Sequence, residues 1–280
     1  MALEKIFDSN LLDFIRSSQD TMAFKSDHWT FIHIPKTAGS SFREEIANVR
    51  QPDYNLEVDY GSLRPGQIDE HFEEMKHQAI RRYCQNYFSR TRFVSGHFLY
   101  RDIARYRNFQ SSKIISMLRD PLARLKSDFL HQTSTNHPQF EAARKRYPTF
   151  RHFIEEPGNQ NLMYDHLRRD EADSYEATLA FVRQRYTWIG LQEAYNFSLK
   201  MLFMLFGMRI EPRVRLREGD VDSKNALITT PADEQAAQDR NATDYKLYQS
   251  FHDRYLTLKK DFYQLSDYDR FFKRVGGVPQ

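Results

Sequence analysis

The sequence predicts an α/β protein whose mostly parallel sheet is covered by helices on both faces. Two observations predict it: short apolar strands alternate with helical segments, and two strands run directly into polar turns that start helices. The first strand is expected at Trp29–Ile34, and the most apolar at Lys113–Leu118 (KIISML). Such sheets bind ligands beyond the carboxyl ends of their strands. The turns at 35–41 and 119–121 are therefore expected at one edge of the sheet.

Apolar spacing predicts the remaining elements in order. Helices are expected over residues 3–16, 42–49, 70–88, 121–130 and 192–206, and short strands over 92–95 and 188–191. Residues 50–68 contain two prolines and two glycines, which is typical of a loop or an irregular strand. A last helical region starts at Thr230, and its core-facing stripe consists of Tyr248, Phe251, Tyr255, Leu258 and Phe262.

Two helix starts carry residues that accept hydrogen bonds from free backbone N–H groups. Ser40 or Ser41 is expected to cap the helix over 42–49. Asp120 precedes Pro121, which suits a first helical position, so Asp120 is expected to cap the next helix.

The composition excludes several classes of function. The 280 residues include 41 basic and 38 acidic side chains, and this near balance does not favour a nucleic-acid-binding protein. Cys84 is the only cysteine, so no internal disulfide is possible and a reducing compartment is favoured. The N-terminus lacks the apolar core of a signal peptide, and no apolar run approaches the ~20 residues of a membrane span. A cytoplasmic protein with no transmembrane segment is expected, and its oligomeric state is left open.

The stretch FIHIPKTAGSSF, residues 31–42, has the chemistry of an anion-binding turn. Pro35 ends the strand, and Ala38 and Gly39 let the backbone come close to a ligand. The N–H groups that start the next helix favour an anion. The lysine precedes the glycine, so this is not the nucleotide-triphosphate loop G-x-x-x-x-G-K-[ST]. Positive charge and hydroxyl donors come from Lys36, Thr37, Ser40 and Ser41.

The order of residues in HIPKTAGSSF resembles the 5′-phosphosulfate-binding loop of sulfotransferases that use 3′-phosphoadenosine 5′-phosphosulfate (PAPS). It is most similar to the branch of heparan and dermatan uronyl 2-O-sulfotransferases. The resemblance implies a P-loop-like, nucleotide-kinase-like α/β fold. It also implies that Lys36 neutralises the oxygen between phosphorus and sulfur as that bond breaks. The residues implied around the 5′-phosphosulfate are Lys36, Thr37, Ala38, Gly39, Ser40 and Ser41.

A second stretch, ISMLRDPLARLKSDFLH, resembles the 3′-phosphate signature of the same family. In that signature R-D-P ends a strand and a serine follows eight residues after the arginine; Arg119 and Ser127 take these places. An arginine fork together with a hydroxyl donor suits a terminal phosphate. The resemblance covers about residues 30–265 of an expected single domain, 1–280, with residues 1–25 as a helical extension.

The acceptor hydroxyl needs a base, and histidine suits neutral pH. Related enzymes carry a Gly-His pair between the two motifs and use its histidine as the base; RFVSGHFLY places His97 there. The resemblance therefore implies in-line displacement at sulfur with His97 as general base. His33 is expected beneath the site. His131, one helical turn after Ser127, is expected near the site without an assigned task.

The expected acceptor is a hydroxyl of a carbohydrate or glycolipid, with no choice between a polyanionic and a neutral sugar. Related enzymes often carry N-x-x-T-R after the second motif, whereas Gly158–Met163 (GNQNLM) lacks the Thr-Arg pair, so a different acceptor pocket is expected. The Golgi enzymes of this branch have a membrane anchor and disulfides, and neither is seen in this sequence, which favours a bacterial member. No His/Cys/Asp cluster shows ligand spacing, so no metal is expected.

Two further segments have open or implied roles. Arg209–Arg217 (RIEPRVRLR) alternates basic and apolar residues, as an extended segment with one basic face would. It either contacts the adenosine of the cofactor or a polyanionic acceptor, or it is a solvated edge. Lys224 lies where related enzymes have a nucleotide-covering loop, so the resemblance assigns it to the cofactor site.

Two other functions stay open. A phosphoryl-transfer enzyme on a similar fold is disfavoured by the missing G-x-x-x-x-G-K and by the lack of a clear acidic magnesium ligand after a strand, since Asp120 is explained as a cap. A non-catalytic nucleotide-binding homologue is disfavoured by the presence of Lys36 and His97.

Overall fold

The computed structural model describes residues 27–57, 68–208, 227 and 229–264. The predicted helix over 3–16, the extension 1–25, the stretch Arg209–Arg217 and Lys224 all lie outside these residues.

Five strands form one sheet, and every neighbouring pair is parallel in the order β2-β3-β1-β4-β5. The strands are β1 (Trp29–Ile32), β2 (Asp53–Leu56), β3 (Phe93–Gly96), β4 (Lys113–Leu118) and β5 (Tyr186–Leu191). All residues of β1, β3 and β5 are buried, as expected when helices cover both faces of a parallel sheet. The predicted α/β class is confirmed.

Eleven α-helices occur in the described part of the chain. They are α1 (Gly39–Val49), α2 (Ile68–Asn86), α3 (Tyr100–Ala104), α4 (Pro121–Gln132), α5 (Phe140–Arg146), α6 (Phe150–Glu155), α7 (Leu162–Leu167), α8 (Tyr175–Arg185), α9 (Tyr195–Leu205), α10 (Pro231–Arg240) and α11 (Ala242–Gln264). The core-facing stripe of α11 is confirmed for its described side chains, because Tyr248, Phe251, Tyr255 and Leu258 are all buried.

Aromatic side chains join helices to both faces of the sheet. Phe31 of β1 packs on Phe42 of α1, with ring centroids 4.6 Å apart. On the opposite face, Tyr186 of β5 contacts Phe181 of α8 edge to face. The sheet is therefore the middle layer of the fold, and only its strand ends remain for ligands.

An extra residue in β5 lets this strand supply large side chains to both faces. Ile114 pairs with Tyr186, but the next residue, Ile115, pairs with Trp188, so Thr187 has no counterpart. Such a bulge reverses the in–out alternation. The strand therefore starts at Tyr186, two residues before the predicted start.

The two predicted caps have different outcomes. Asp120 caps α4: its Oδ1 accepts a hydrogen bond from the Ala123 N–H at 2.8 Å. The predicted cap of α1 is wrong, because the N-cap residue is Ala38, with a left-handed φ of 67°, and Ser40 and Ser41 lie inside the first turn. The helix starts earlier than predicted because the backbone of Ala38, rather than a hydroxyl, makes the turn.

Candidate functional site

Neighbouring strand ends bring the predicted site residues to one edge of the sheet. Ile32 of β1 lies beside Gly96 of β3, so the residues that follow, His33 and His97, are neighbours. Their imidazole rings stack with centroids 4.0 Å apart. Arg119 follows the end of β4, which pairs with the other side of β1. The edge at which parallel sheets bind ligands thus holds both predicted motifs and the predicted base.

The turn after β1 has an unusual backbone that suits an anion. Lys36 has a φ of 66° and Ala38 a φ of 67°, values that are uncommon for residues with a side chain. Left-handed residues just before a helix turn N–H groups toward one side, which creates a concave site for an anion. None of the described side chains caps α1. The first N–H groups of this 11-residue helix therefore add to the attraction.

Hydroxyl groups of this turn have separate environments. Thr37 is fully buried, and its Oγ1 donates to the Ile34 carbonyl oxygen at 2.9 Å. In this structure the Thr37 hydroxyl closes the turn, and its predicted role as a donor to an anion stays a prediction. Ser41 is also buried, whereas Ser40 is exposed at the start of α1.

Gly39 is required by a neighbouring side chain. A Cβ atom at this position would lie 1.8 Å from Nε2 of His33. The sequence predicts that this glycine lets a ligand approach; the structure gives a different reason, since the missing side chain makes room for the His33 ring. The ring is buried, as predicted, and supports the stacked ring of His97.

Arg119 connects the two motifs. Its Nη1 donates to the carbonyl oxygen of Lys36 at 3.0 Å. Burial lowers the pKa of Lys36, Asp128 opposes the decrease, and the nearby charge of Arg119 adds to it. Two cationic side chains held this close favour an anionic ligand between them.

Helix α4 places a serine and a buried acid near this edge. Ser127 is half-buried. The next residue, Asp128, is buried; it forms an ion pair with Arg124 at 3.3 Å and accepts a hydrogen bond from Gln132 at 3.1 Å. Its charge acts on both Lys36 and His97. The sequence alone does not identify Asp128, since an acid in the middle of an amphipathic helix is usually a surface residue.

His97 has the tautomer that a general base needs. Its Nδ1 lies 2.9 Å from the carbonyl oxygen of His33. A carbonyl oxygen can only accept, so Nδ1 carries the hydrogen and Nε2 of the neutral ring keeps its lone pair. The side chain is exposed on one side, yet burial of the rest lowers its pKa, against the opposing effects of the His33 carbonyl, Asp128 and Glu57. The ring is therefore neutral at pH 7.

A cavity of about 620 Å³ lies beside this edge. Its walls are α7, the turn Pro157–Asn161 before it, Arg101 of α3 and Thr243 of α11. The stretch Gly158–Met163, which differs from the family pattern, thus forms much of the wall. Residues 101 and 243 are far apart in the chain, so no local pattern in the sequence could have predicted this cavity.

His166 is a residue of the cavity that also interacts with the predicted base, His97. It lines the cavity, and its Nδ1 donates to the Leu162 carbonyl oxygen at 2.8 Å. Burial, together with the neighbouring His97, lowers the pKa of His166 to about 4. The two rings are therefore close enough to interact electrostatically, and His166 is neutral at physiological pH.

A group of possible metal ligands that the sequence spacing does not reveal lies elsewhere in the described part of the chain, and the expectation of no metal stays a prediction. Donor atoms of Glu73, His77 and Asp102 lie within 4.8 Å of one another. The ammonium of Lys76 lies 2.8 Å from a carboxylate oxygen of both Glu73 and Asp102. A lysine charge thus already balances these acids, and the group carries no argument for a metal.

Comparison with known proteins identifies the class. The parallel sheet, whose strand-end turns suit an anion, defines the chain as an α/β protein. A family model described as the sulfotransferase family matches residues 19–252, and the chain belongs to this family. A search of curated proteins gave no significant match. Among the described helices, none combines the length and apolarity needed to cross a membrane.

Proposed function

We propose that the chain transfers the sulfuryl group of PAPS to a hydroxyl of a carbohydrate or glycolipid, with His97 as the general base. The observation that carries the proposal is the hydrogen bond from His97 Nδ1 to the His33 carbonyl oxygen, because it leaves Nε2 free to take a proton. Membership of the sulfotransferase family supports the type of reaction.

The strand-end residues suit a donor with two anionic groups. Lys36, the backbone of Thr37, Ala38 and Gly39, and the residues Ser40 and Ser41 would surround the 5′-phosphosulfate. Arg119 and Ser127 would hold the 3′-phosphate, for which an arginine fork and a hydroxyl are well suited. The close approach of Arg119 to the Lys36 carbonyl supports one continuous site for both groups.

The proposed step needs no metal. The acceptor oxygen attacks sulfur, its proton moves to Nε2 of His97, and the bond from sulfur to the 5′-phosphate oxygen breaks. The product 3′-phosphoadenosine 5′-phosphate (PAP) leaves, and the charge of Lys36 stabilises its new phosphate oxygen. Most of the rate increase would come from positioning and electrostatics, as in phosphoryl transfer.

The test is a thermal-shift and calorimetric titration with PAP, set against 5′-AMP and ATP–Mg²⁺. At 100 times its dissociation constant, PAP should stabilise the folded state by about 2.7 kcal/mol, a rise of roughly 5–10 °C in Tm. Arg119→Ala should remove most of this shift. Arg107→Ala, at an exposed arginine in the turn before β4, should not. No response to PAP, or a larger response to ATP–Mg²⁺, would contradict the proposal and favour a kinase.

A further inference from the structure

The charged side chains at the cavity form ion pairs with one another. Nη1 and Nη2 of Arg101 donate to the two carboxylate oxygens of Asp165 at 3.0 and 3.1 Å, and Nη2 also lies 3.3 Å from Glu171. Arg168 forms an ion pair with Asp165 and donates to the Glu171 carbonyl oxygen. Two guanidinium groups therefore face two carboxylates. The lining residues Arg101, Arg168 and Asp165 alone sum to one positive charge, and the carboxylate of Glu171, an exposed acid at the rim that contacts Arg101, balances it.

The protonation states agree with this balance. Hydrogen bonds and charges from Arg101 and Arg168 keep the pKa of Asp165 low in spite of its burial, so the acid is ionised at neutral pH. His166 is neutral there, since its pKa is about 4. Each of the two guanidinium groups thus already has a carboxylate partner, and neither is left unpaired for a carboxylate or sulfate of a ligand.

An anionic ligand would have to compete with Asp165. Only 31% of the Asp165 side chain and 25% of the Arg101 side chain are exposed, so a second anion beside them would meet a fixed negative charge in partly dry surroundings. A hydroxyl group has no such conflict, because it donates to a carboxylate and accepts from a guanidinium at the same time. Neighbouring hydroxyl groups of one sugar ring can therefore form hydrogen bonds with the paired Arg101 and Asp165.

The cavity also lies where an acceptor would need to be. Arg101 comes four residues after His97, and His166 interacts electrostatically with the His97 ring. The volume of about 620 Å³ is within the usual range for small-molecule sites. Thr243 adds a half-buried side chain with a hydroxyl to the lining of the cavity.

We infer that this cavity takes an uncharged, hydroxyl-rich sugar residue of the acceptor, and not a sugar that bears a carboxylate or sulfate. The inference rests on the proposed function, because it names the acceptor class for that same site.

The first test compares neutral and acidic tetrasaccharides of equal length as binding probes and as acceptors. Maltotetraose and tetra-N-acetylchitotetraose are the neutral probes, and tetragalacturonate is the acidic one. Saturation-transfer NMR measures binding without the donor, and labelled PAPS measures transfer. At least one neutral probe is expected to bind and to accept sulfate at least about tenfold better than tetragalacturonate. A preference for tetragalacturonate at physiological salt would overturn the inference.

A charge variant makes the test specific to the wall. Glu171→Gln removes a rim carboxylate and leaves one surplus guanidinium, so binding of tetragalacturonate should increase about two- to tenfold and this increase should weaken with salt. Glu176→Gln removes an exposed acid of α8 that does not line the cavity, and should change nothing. Equal effects of the two variants would show a general charge effect and contradict the assignment.

A variant that leaves the charges of the cavity unchanged tests where the sugar binds. Thr243→Val keeps the shape of the side chain but removes one hydroxyl, and should weaken binding of the neutral probe about three- to tenfold. Thr257→Val lies 14 residues further along α11, roughly 21 Å away, and serves as the control. If the neutral probe binds equally well to Thr243→Val, the cavity is not the sugar site.

Failure of this inference is distinguishable from failure of the proposed function. A normal response to PAP with no binding of any tetrasaccharide would overturn the cavity assignment and leave sulfuryl transfer intact. Neutral-sugar binding that depends on Thr243, in a protein that does not respond to PAP, would support the cavity and contradict the proposed reaction.

Discussion

The pKa of His97 decides the pH range in which its Nε2 can take a proton. Burial holds this pKa below 6.5, so the ring stays unprotonated at pH 7. A base with a lowered pKa loses function only as the pH falls through that value. We therefore expect kcat/KM to be flat above about pH 7.5 and to fall at lower pH, with its midpoint below 6.5, the ordinary pKa of histidine. The measurement is a pH–rate profile with any acceptor that turns over.

His97→Asn tests the same assignment directly. Removal of a general base typically reduces kcat by ~10²–10⁴-fold, and it should also abolish the acidic limb of the profile. His71→Asn, at an exposed histidine of α2, should leave both unchanged. A rate for His97→Asn within a few-fold of the native rate would show that another group takes the proton.

Gly39 gives a prediction about stability. Because a Cβ at this position would overlap the His33 ring, Gly39→Ala should lower the free energy of unfolding by about 2–4 kcal/mol. Gly158→Ala, where an added Cβ meets nothing within 4 Å, should change it by less than about 0.5 kcal/mol. Adding His33→Ser to Gly39→Ala should restore part of the loss. Urea unfolding measures all variants, and full stability of Gly39→Ala alone would refute the steric explanation.

At the scale of single residues, the sequence shows which residue types could form the site, but not which atoms their side chains contact. Arg119, Lys36 and His97 lie at the expected edge because all three follow strands, and strand ends can be read from apolar runs. The left-handed backbone of Lys36 and Ala38 and the inward hydroxyl of Thr37 could not be predicted, since neither residue type requires that conformation. The local sequence does not show which atoms these residues contact once the turn after β1 has folded.

Helix α7 depends on a residue from another helix. The carboxylate of Asp244 in α11 accepts hydrogen bonds from the N–H groups of Met163 at 3.1 Å and Tyr164 at 2.7 Å. Asp244 therefore satisfies the N-terminus of a six-residue helix that forms one wall of the cavity. Such a short helix is not stable by itself, so its position is set by this contact and by packing.

The burial of Asp244 should make stability depend on pH with an unusual sign. Burial raises the pKa of Asp244 from 3.8 to about 6, so between these values the folded protein keeps a proton that the unfolded chain has released. The contribution of Asp244 is thus fully present below about pH 4 and is lost as the pH rises through 6. Asp244→Asn has no titrating carboxyl group at this position, so its stability lacks this dependence on pH. From pH 4 to 7 its free energy of unfolding should gain up to about 3 kcal/mol relative to the native protein.

Denaturant unfolding at several pH values measures the difference. Asp239→Asn, at an exposed acid of α10, should run parallel to the native protein. A constant difference between native protein and Asp244→Asn across this range would mean that the hydrogen bonds from Met163 and Tyr164 keep Asp244 ionised despite its burial.

Helices and strands could be predicted from the sequence where the residues that determine them are neighbours in the chain. The strand at 113–118 and the cap at Asp120 match the structure because apolar runs and an Asp-Pro pair are local signals. The start of β5 was misplaced because the unpaired Thr187 depends on pairing with β4. Helix α7 was not predicted at all, since its cap comes from a residue about 80 positions later.

At the scale of the whole molecule, one buried arginine joins the donor side to the cavity. Arg124 of α4 is completely buried; its Nη1 pairs with Asp128, and its Nη2 donates to the Asn159 carbonyl oxygen at 3.1 Å. Asn159 belongs to the turn that precedes α7. The Arg124 guanidinium therefore links the helix that carries Ser127 to the turn that leads into the wall of the proposed acceptor cavity.

Arg124→Met should show how strongly this connection stabilises the fold. The variant leaves the buried Asp128 without its cation and the Asn159 carbonyl without a donor, and removal of one partner of a buried pair typically costs about 3–5 kcal/mol. Adding Asp128→Asn removes the uncompensated charge. The double variant should therefore be more stable than the sum of the two single changes predicts, with a coupling energy of about 0.5–3 kcal/mol. Urea unfolding gives these values, and an unchanged m-value would show that the native fold persists. Strictly additive losses would mean that Arg124 acts on the turn alone, with no energetic link to the residue beside Ser127.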